Sequence, residues 1–246
     1  MEIQVRDLIL GKGRPKICVP LCGRNIVEIQ QEITELEHAT YDIVEWRMDF
    51  CDKNDLVTYV YNIRQRLGNI PLLATCRTYN EGGNAQVDDE TYFQINQKIL
   101  DTHCIDCIDV EAYRDPCIVE QLTEYAHDLG VKVIMSYHDF YKTPKYDEII
   151  ARLSFMEEKH ADICKIAVMP RCSEDVLTLL QATNDASQKL HCPLVTMSMS
   201  QLGLISRLSG EIFGSCLTFG CVAKASAPGQ ISSNQLKEIL DVIHSR

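Results

Sequence analysis

The 246-residue sequence has no apolar run long enough to cross a bilayer, because charges interrupt every hydrophobic stretch well short of the ~20 residues a spanning helix needs. Its opening residues, Met1-Glu2-Ile3-Gln4-Val5-Arg6-Asp7, contain no apolar signal core, so a cytoplasmic protein without membrane contact is expected. Clustered Lys and Arg are missing too. With 35 acidic against 24 basic residues the formal charge is −11, which excludes a general nucleic-acid surface, where phosphate binding needs grouped cations. The acidity reads instead as a solvated shell. Walker and G-x-G-x-x-G patterns are absent, and Gly11-Lys12-Gly13 alone makes no nucleotide fingerprint. Cys104-Ile105-Asp106-Cys107 has C-x-x-C spacing, but no second pair or His pair completes a ligand set, so no metal is expected. The 12 cysteines do not suggest a disulfide framework in a chain of this length with an apolar core. Cys18, Cys76 and Cys164 sit inside apolar runs and read as small buried hydrophobes.

What is present is an alternation repeated eight times. Short apolar, β-branched runs predict strands at Ile17–Leu21, Ile43–Trp46, Leu72–Cys76, Cys107–Val110, Lys132–Ser136, Ile163–Ala167, Leu194–Met197 and Cys216–Phe219. Helical spacing lies between them, as in Leu56, Val60, Ile63, Leu67 and in Ile118, Leu122, Tyr125, Leu129. Thr143-Pro144 is read as a helix cap, Ser232-Ser233-Asn234-Gln235 as a capping box, and Gly68 and Gly130 as helix stops. Strand–helix alternation predicts parallel strands joined by crossover helices, and eight such units close into a barrel. The expected fold is α/β: a single-domain (β/α)₈ TIM barrel spanning residues 1–246, with an N-terminal β-hairpin at Ile3–Leu10 capping its floor.

In such barrels chemistry gathers where strands run into the following loops. The candidate strands deliver Glu45-Trp46-Arg47-Met48-Asp49, Arg77 with Glu81-Gly82-Gly83, Asp109-Val110-Glu111, Ser136-Tyr137-His138-Asp139 and Asp162-Ile163-Cys164-Lys165 to that face. The last strands lead through Met197 and Met199 to Ser206-Arg207, and through Phe219 to Ser226-Ala227-Pro228-Gly229-Gln230. Lys165 is the most informative. Lysine among apolar neighbours is seldom buried without reason; its bland reading is a snorkelling side chain. At an ordinary pKa near ~10.4 only about 0.04 % of a lysine is neutral at pH 7, whereas burial and neighbouring cations favour the amine that attacks ketones. His138 is the one histidine of seven at a strand end, suited to carry protons both ways, with a satisfied core histidine as its alternative. Glu81 would fix its tautomer. Arg47, Arg77 and Arg207 suggest a carboxylate-bearing ligand, although each has a structural alternative as ion-pair partner of Glu45, Asp49 or Glu111. Ala227-Pro228-Gly229 has the composition of a lid.

At these residues, along essentially the whole chain, the sequence resembles the type I 3-dehydroquinate dehydratase family. The matching motifs include Glu45-Trp46-Arg47-Met48-Asp49, Glu81-Gly82-Gly83, Ser136-Tyr137-His138-Asp139-Phe140, Lys165-Ile166-Ala167-Val168-Met169-Pro170, Ile205-Ser206-Arg207 and Ser226-Ala227-Pro228-Gly229-Gln230. The resemblance implies that Lys165 forms an imine with 3-dehydroquinate, that His138 moves the protons and that Glu81 orients it. It further implies that Arg207 and Gln230 hold the substrate carboxylate, that Glu45, Arg47, Arg77 and Ser226 position the ring and its hydroxyls, and that Met197 and Phe219 form apolar walls. A homodimer without cofactor, working in the shikimate pathway, is implied as well. Pro20 stands where some relatives carry a serine, so a hydrogen bond to ligand is lost there. Two rivals remain from the residues themselves: a class I aldolase or transaldolase, and a non-catalytic carboxylate-binding barrel.

Overall fold

The structure is a computed structural model and describes residues 1–222 and 227–244. Two short strands, β1 (Ile3–Val5) and β2 (Leu8–Leu10), form an antiparallel hairpin with Ile3 opposite Leu10. The rest alternates: β3 (Lys16–Leu21), α1 (Ile26–Glu35), β4 (Ile43–Arg47), α2 (Leu56–Leu67), β5 (Leu72–Thr75), α3 (Asp89–Leu100), β6 (Cys107–Glu111), α4 (Pro116–Asp128) and β7 (Lys132–Asp139). It continues with α5 (Tyr146–Glu158), β8 (Ile163–Val168), α6 (Ser173–Lys189), β9 (Leu194–Ser198), α7 (Leu204–Leu208), α8 (Gly210–Phe213), β10 (Leu217–Phe219) and α9 (Ser233–His244). Eight parallel strands pair in the order β10-β3-β4-β5-β6-β7-β8-β9. The ring closes through a bridge between Leu194 and Ser215, where the Cys216 N–H donates to the Leu194 carbonyl at 2.7 Å. This is the expected barrel with its hairpin.

Burial explains the strands' composition. Parallel strands covered on both faces need apolar side chains on both, and all six residues of β8 are buried, Lys165 included. Alternation sends Cys164, Ile166 and Val168 to the layer under the helices and Ile163, Lys165 and Ala167 into the barrel. Val5 and Leu10 of the hairpin join the interior cluster containing Cys18, Ile43, Leu73, Cys107, Ile134 and Ile163, which closes the floor. Arg6, at the hairpin's turn, is latched to Asp106 at 2.6 Å. Cys104 and Cys107 are free and buried, one in the outer layer and the other facing the barrel.

Three local expectations shift. The α4 stripe is buried at Val119, Leu122, Thr123 and Ala126, one residue on from Ile118 and Tyr125, which are only half-buried. Thr143 does not cap α5, which starts at Tyr146; its hydroxyl donates to the Met169 carbonyl, tying the loop after β7 to the end of β8. Strand β7 runs three residues past its predicted end because His138 and Asp139 pair in register with Ala167 and Val168. Half of the capping box forms as expected: the Gln235 N–H donates to Ser232 Oγ at 3.3 Å, while the Gln235 side chain accepts from that hydroxyl at 2.9 Å.

Candidate active site

Inward residues of β4, β5, β7, β8, β9 and β10 meet in a cavity at the C-terminal mouth, about 530 Å³ of empty space partly open to solvent. Lys165 stands at its floor. It is 3 % exposed, and its ammonium lies 3.0 Å from Asp109 Oδ2, 3.7 Å from Glu45 Oε1 and 4.8 Å from the centre of the Phe219 ring. The sequence suggested arginine neighbours; the charges nearest to it are two carboxylates. Lys165 is in register with Ser136, and His138 sits one inward step higher, opposite Ala167.

His138 is bracketed by Glu81. Its Nδ1 lies 2.9 Å from Glu81 Oε2, and its backbone N–H donates to the same oxygen at 3.1 Å. Burial holds the imidazole well below its ordinary pKa, and the Arg77 and Lys165 cations push it further down, leaving a neutral ring at neutral pH. Burial pushes the Glu81 carboxyl up, against the pull of Arg77. The loop carrying Glu81 reaches this position because of two glycines. Gly82 has φ of +78°, and a Cβ there would stand 2.2 Å from the Phe140 ring; one on Gly83 would meet the Arg77 carbonyl at 2.1 Å.

The three arginines separate into two kinds. Arg47 makes a bidentate pair with Asp49, at 2.7 and 2.8 Å, which holds that carboxyl below its ordinary pKa despite its burial. Arg77 is the hub of a buried network: Nη1 lies 3.2 Å from Glu81, 3.0 Å from Glu111 and 3.0 Å from Ser136 Oγ. Its Nη2 is 2.6 Å from Asp109 Oδ1, an ion pair by distance but off the angle of a hydrogen bond. Arg77 thus lines the cavity while its Nη1 is held by Glu81, Glu111 and Ser136. Arg207, on α7, differs. It is 1 % exposed, donates to the Pro228 carbonyl at 3.1 Å and to Met197 Sδ at 3.6 Å, and its Nε has no partner. No carboxylate pairs with it among the described residues. Burial alone lowers its pKa to about 10, the mark of a cation lacking its anion.

Glu45, Met197, Phe219 and Gln230 all line the cavity as expected, together with Arg47, Glu81 and His138. Ser226 lies outside the described residues. Pro20 is buried on β3 in register with Glu45. Gly229 packs under the Ser200 carbonyl, where a Cβ would fall at 2.2 Å, and so docks the 227–230 loop on the chain after β9. Asp109 was not among the expected site residues, nor were Glu111, Ser136 and Phe140. The signal for the first two was available: in Cys107-Ile108-Asp109-Val110-Glu111 every second residue of a doubly covered strand is polar or small, so both carboxylates must face inward.

With this geometry in hand, similarity to known proteins is informative. The model of the family described as type I 3-dehydroquinase matches residues 17–246. A 3-dehydroquinate dehydratase from Listeria innocua is 47 % identical over 249 residues, covering 100 % of this chain and 99 % of the relative. The crystal structure of a type I 3-dehydroquinate dehydratase from Clostridium difficile superposes with a TM-score of 0.96 at 45 % identity, over 100 % of this chain and 98 % of the other. A 3-dehydroquinate dehydratase from Geobacillus kaustophilus gives a TM-score of 0.96 at 33 % identity, over 100 % and 97 %.

Proposed function

The chain belongs to the type I 3-dehydroquinase family, and we propose that it is a hydro-lyase converting 3-dehydroquinate to 3-dehydroshikimate through a Schiff base on Lys165, in the shikimate pathway. The observation that carries this reading is one cavity lined by a buried lysine, a hydrogen-bonded His138–Glu81 pair and an arginine buried without a carboxylate partner. The Clostridium difficile relative, described with covalent modified comenic acid, adds support for covalent chemistry in this family.

The steps follow from the groups present. Lys165 passes its ammonium proton to His138 and attacks the substrate ketone as the amine; His138 returns that proton to the carbinolamine hydroxyl, which leaves as water and gives the protonated imine that draws electrons from the neighbouring carbon. His138, neutral and one step above Lys165, removes the proton from that carbon. The electron pair passes through an enamine and expels the β-hydroxyl, which takes the proton back from His138 and departs as water. Hydrolysis of the imine then frees the product and the lysine. Glu81, bonded to Nδ1, holds the ring so that Nε2 faces the reacting carbon. Arg207, with Gln230, receives the substrate carboxylate. Glu45, Arg47, Arg77 and Ser226 position the ring and hydroxyls, and Met197 and Phe219 supply apolar walls. The 227–230 loop, resting on Arg207, serves as a lid. No cofactor or metal has a part in this scheme.

We extend the reading to a single catalytic domain that works as a homodimer in the cytoplasm. The net charge of −11 and the lack, among the described residues, of any helix long and apolar enough to cross a membrane support the location. The dimer rests on the family resemblance, and light scattering tests it. The central test is borohydride reduction in the presence of 3-dehydroquinate followed by intact mass. An added mass on the peptide containing Lys165 is expected; active enzyme that never yields that adduct overturns the Schiff-base mechanism.

A further inference from the structure

The Asp109 carboxylate is shared between two tasks. Oδ1 accepts from Ser136 Oγ at 2.6 Å and lies 2.6 Å from Arg77 Nη2, while Oδ2 accepts from Lys165 Nζ at 3.0 Å. Arg77 follows β5, Asp109 is on β6, Ser136 on β7 and Lys165 on β8, so four consecutive strands fix one oxygen and aim the other at the nitrogen. The residue is 1 % exposed. We propose that Asp109 is the standing counter-ion of the reacting nitrogen: it fixes Lys165 Nζ and keeps the positive charge on that nitrogen after the imine has formed. This rests on the Schiff-base reading above.

The chemistry requires such a group. An imine draws electrons from the adjacent carbon only while its nitrogen is protonated, and a buried cation needs an anion close by. Glu45 is the second candidate, but it stands 3.7 Å away and its Oε1 already accepts from Thr75 Oγ1 at 2.9 Å. Asp109 is nearer and better anchored. It is also poorly suited to take the proton that Lys165 must lose. Burial alone would raise its pKa, yet Arg77 and Lys165 together hold the carboxyl well below the usual range, so it stays an anion throughout. Proton movement is left to His138. The two residues therefore divide the work, one holding charge still and the other carrying protons.

The test compares wild type with Asp109→Asn, which keeps the shape and a contact to Ser136 but removes the charge. The full-length enzyme is assayed with 3-dehydroquinate across pH, alongside borohydride trapping at each pH. Without the anion the imine loses its proton more readily. The alkaline limb of kcat and of the trapped fraction should both move to lower pH by about one to three units. Near pH 8 kcat should fall at least about tenfold, the equivalent of one such unit, with KM little changed. Asp109→Glu, which retains the charge, should keep the limb near its wild-type place. A merely structural Asp109 would reduce the yield of folded enzyme and leave the limb of the surviving fraction where it was, and that result overturns the proposal. If Asp109→Asn does not fold, Ser136→Ala is read in the same way: loosening Oδ1 should move the limb in the same direction by less, and an unmoved limb overturns the proposal. Absence of any trapped adduct on wild type would instead overturn the Schiff-base reading and this inference with it.

Discussion

Five neighbouring strands, β4 to β8, turn two different sets of residues into the same barrel. Their lower inward positions are Ile43, Leu73, Cys107, Ile134 and Ile163, all fully buried in one apolar cluster. Two residues further on, ~6.6 Å along each strand, the inward positions are Glu45, Thr75, Asp109, Ser136 and Lys165. The first set contributes to stability by burial and needs nothing else. The second is as deeply buried, so each polar group must find a partner: Thr75 with Glu45, Ser136 with Asp109, Asp109 with Lys165. The other three strands carry apolar residues at both heights, Val195 and Met197, Leu217 and Phe219, Cys18 and Pro20. The mouth thus has a charged wall facing an apolar one, with Arg207 as the cation left over. A floor built for folding and a wall built for chemistry are separated by one pleat of the same strands.

Breaking the upper level should cost activity first. Lys165→Ala removes the nucleophile, and turnover should fall roughly 10³-fold or more. It also leaves Asp109 and Glu45 with one cation fewer, so the thermal midpoint should drop while the circular dichroism spectrum keeps the barrel signature. Substantial residual turnover would sink the imine mechanism. His138→Ala should lose about 10²–10⁴-fold but still attack the ketone slowly. Its expected signature is a trapped adduct on Lys165 that accumulates and stalls. An inactive His138→Ala without adduct would assign the histidine to imine formation, and normal turnover would remove it from proton transfer.

Breaking the lower level should do the reverse. Ile163→Ala deletes buried volume two residues before Lys165 and should cost about 2–5 kcal/mol in urea unfolding, with kcat changed far less than stability. A kcat loss as large as that of His138→Ala would mean that the two levels are not separable. Arg207→Ala sharpens the contrast within the mouth. A structural ion pair would lose stability on truncation; an arginine without an anion should lose mainly substrate affinity, by a few kcal/mol at most, as a raised KM. Arg207→Lys should recover only part, because an ammonium lacks the planar fork. Equal KM for Arg207→Lys and wild type would refute bidentate binding.

The sequence carried the barrel well because its signals are repeated and local: eight apolar runs, helical spacing between them and a cap such as Ser232–Gln235. Lys165 and His138 were legible for a related reason, being polar residues within apolar strands, whereas Glu81 and Arg207 lie in the segments after β5 and β9 and stood out through their motifs. What was not legible is pairing across strands. That Arg77 is consumed by Asp109, Glu111 and Glu81, and Arg47 by Asp49, depends on the register of β4, β5 and β6, and no single strand encodes it. The height of His138 above Lys165 depends likewise on the β7–β8 register. The pairing of Asp109 with Lys165 and Ser136 depends in the same way on three strands coming together.

The smallest expected effect is a difference in slope, and it separates the two levels most cleanly. The lower level is made of apolar side chains, whereas the upper one adjoins His138, whose folded pKa lies well below the ordinary ~6.5 because of burial and the Arg77 and Lys165 cations. A depressed folded pKa means that the unfolded chain binds the proton more readily. The contribution of His138 is therefore fully present above pH ~6.5 and is lost as pH falls toward the folded value, by at most about 1.4 kcal/mol per unit. Asp109, also depressed, acts in the same direction only below the ordinary carboxylate range near ~3.9. Glu81, whose folded pKa is raised, works the other way: its contribution is present at low pH and is lost as pH rises through the folded value. Urea unfolding of wild type between pH 7 and 5 should accordingly show a loss of stability from His138, partly offset by Glu81. His138→Gln, uncharged at every pH, should abolish the histidine part and flatten or invert the slope. Ile163→Val should lower stability by about 0.5–1.5 kcal/mol equally at each pH, leaving the slope as in wild type. If His138→Gln and Ile163→Val give parallel curves, the histidine is not held neutral by the fold, and the proton that starts elimination has been given to the wrong residue.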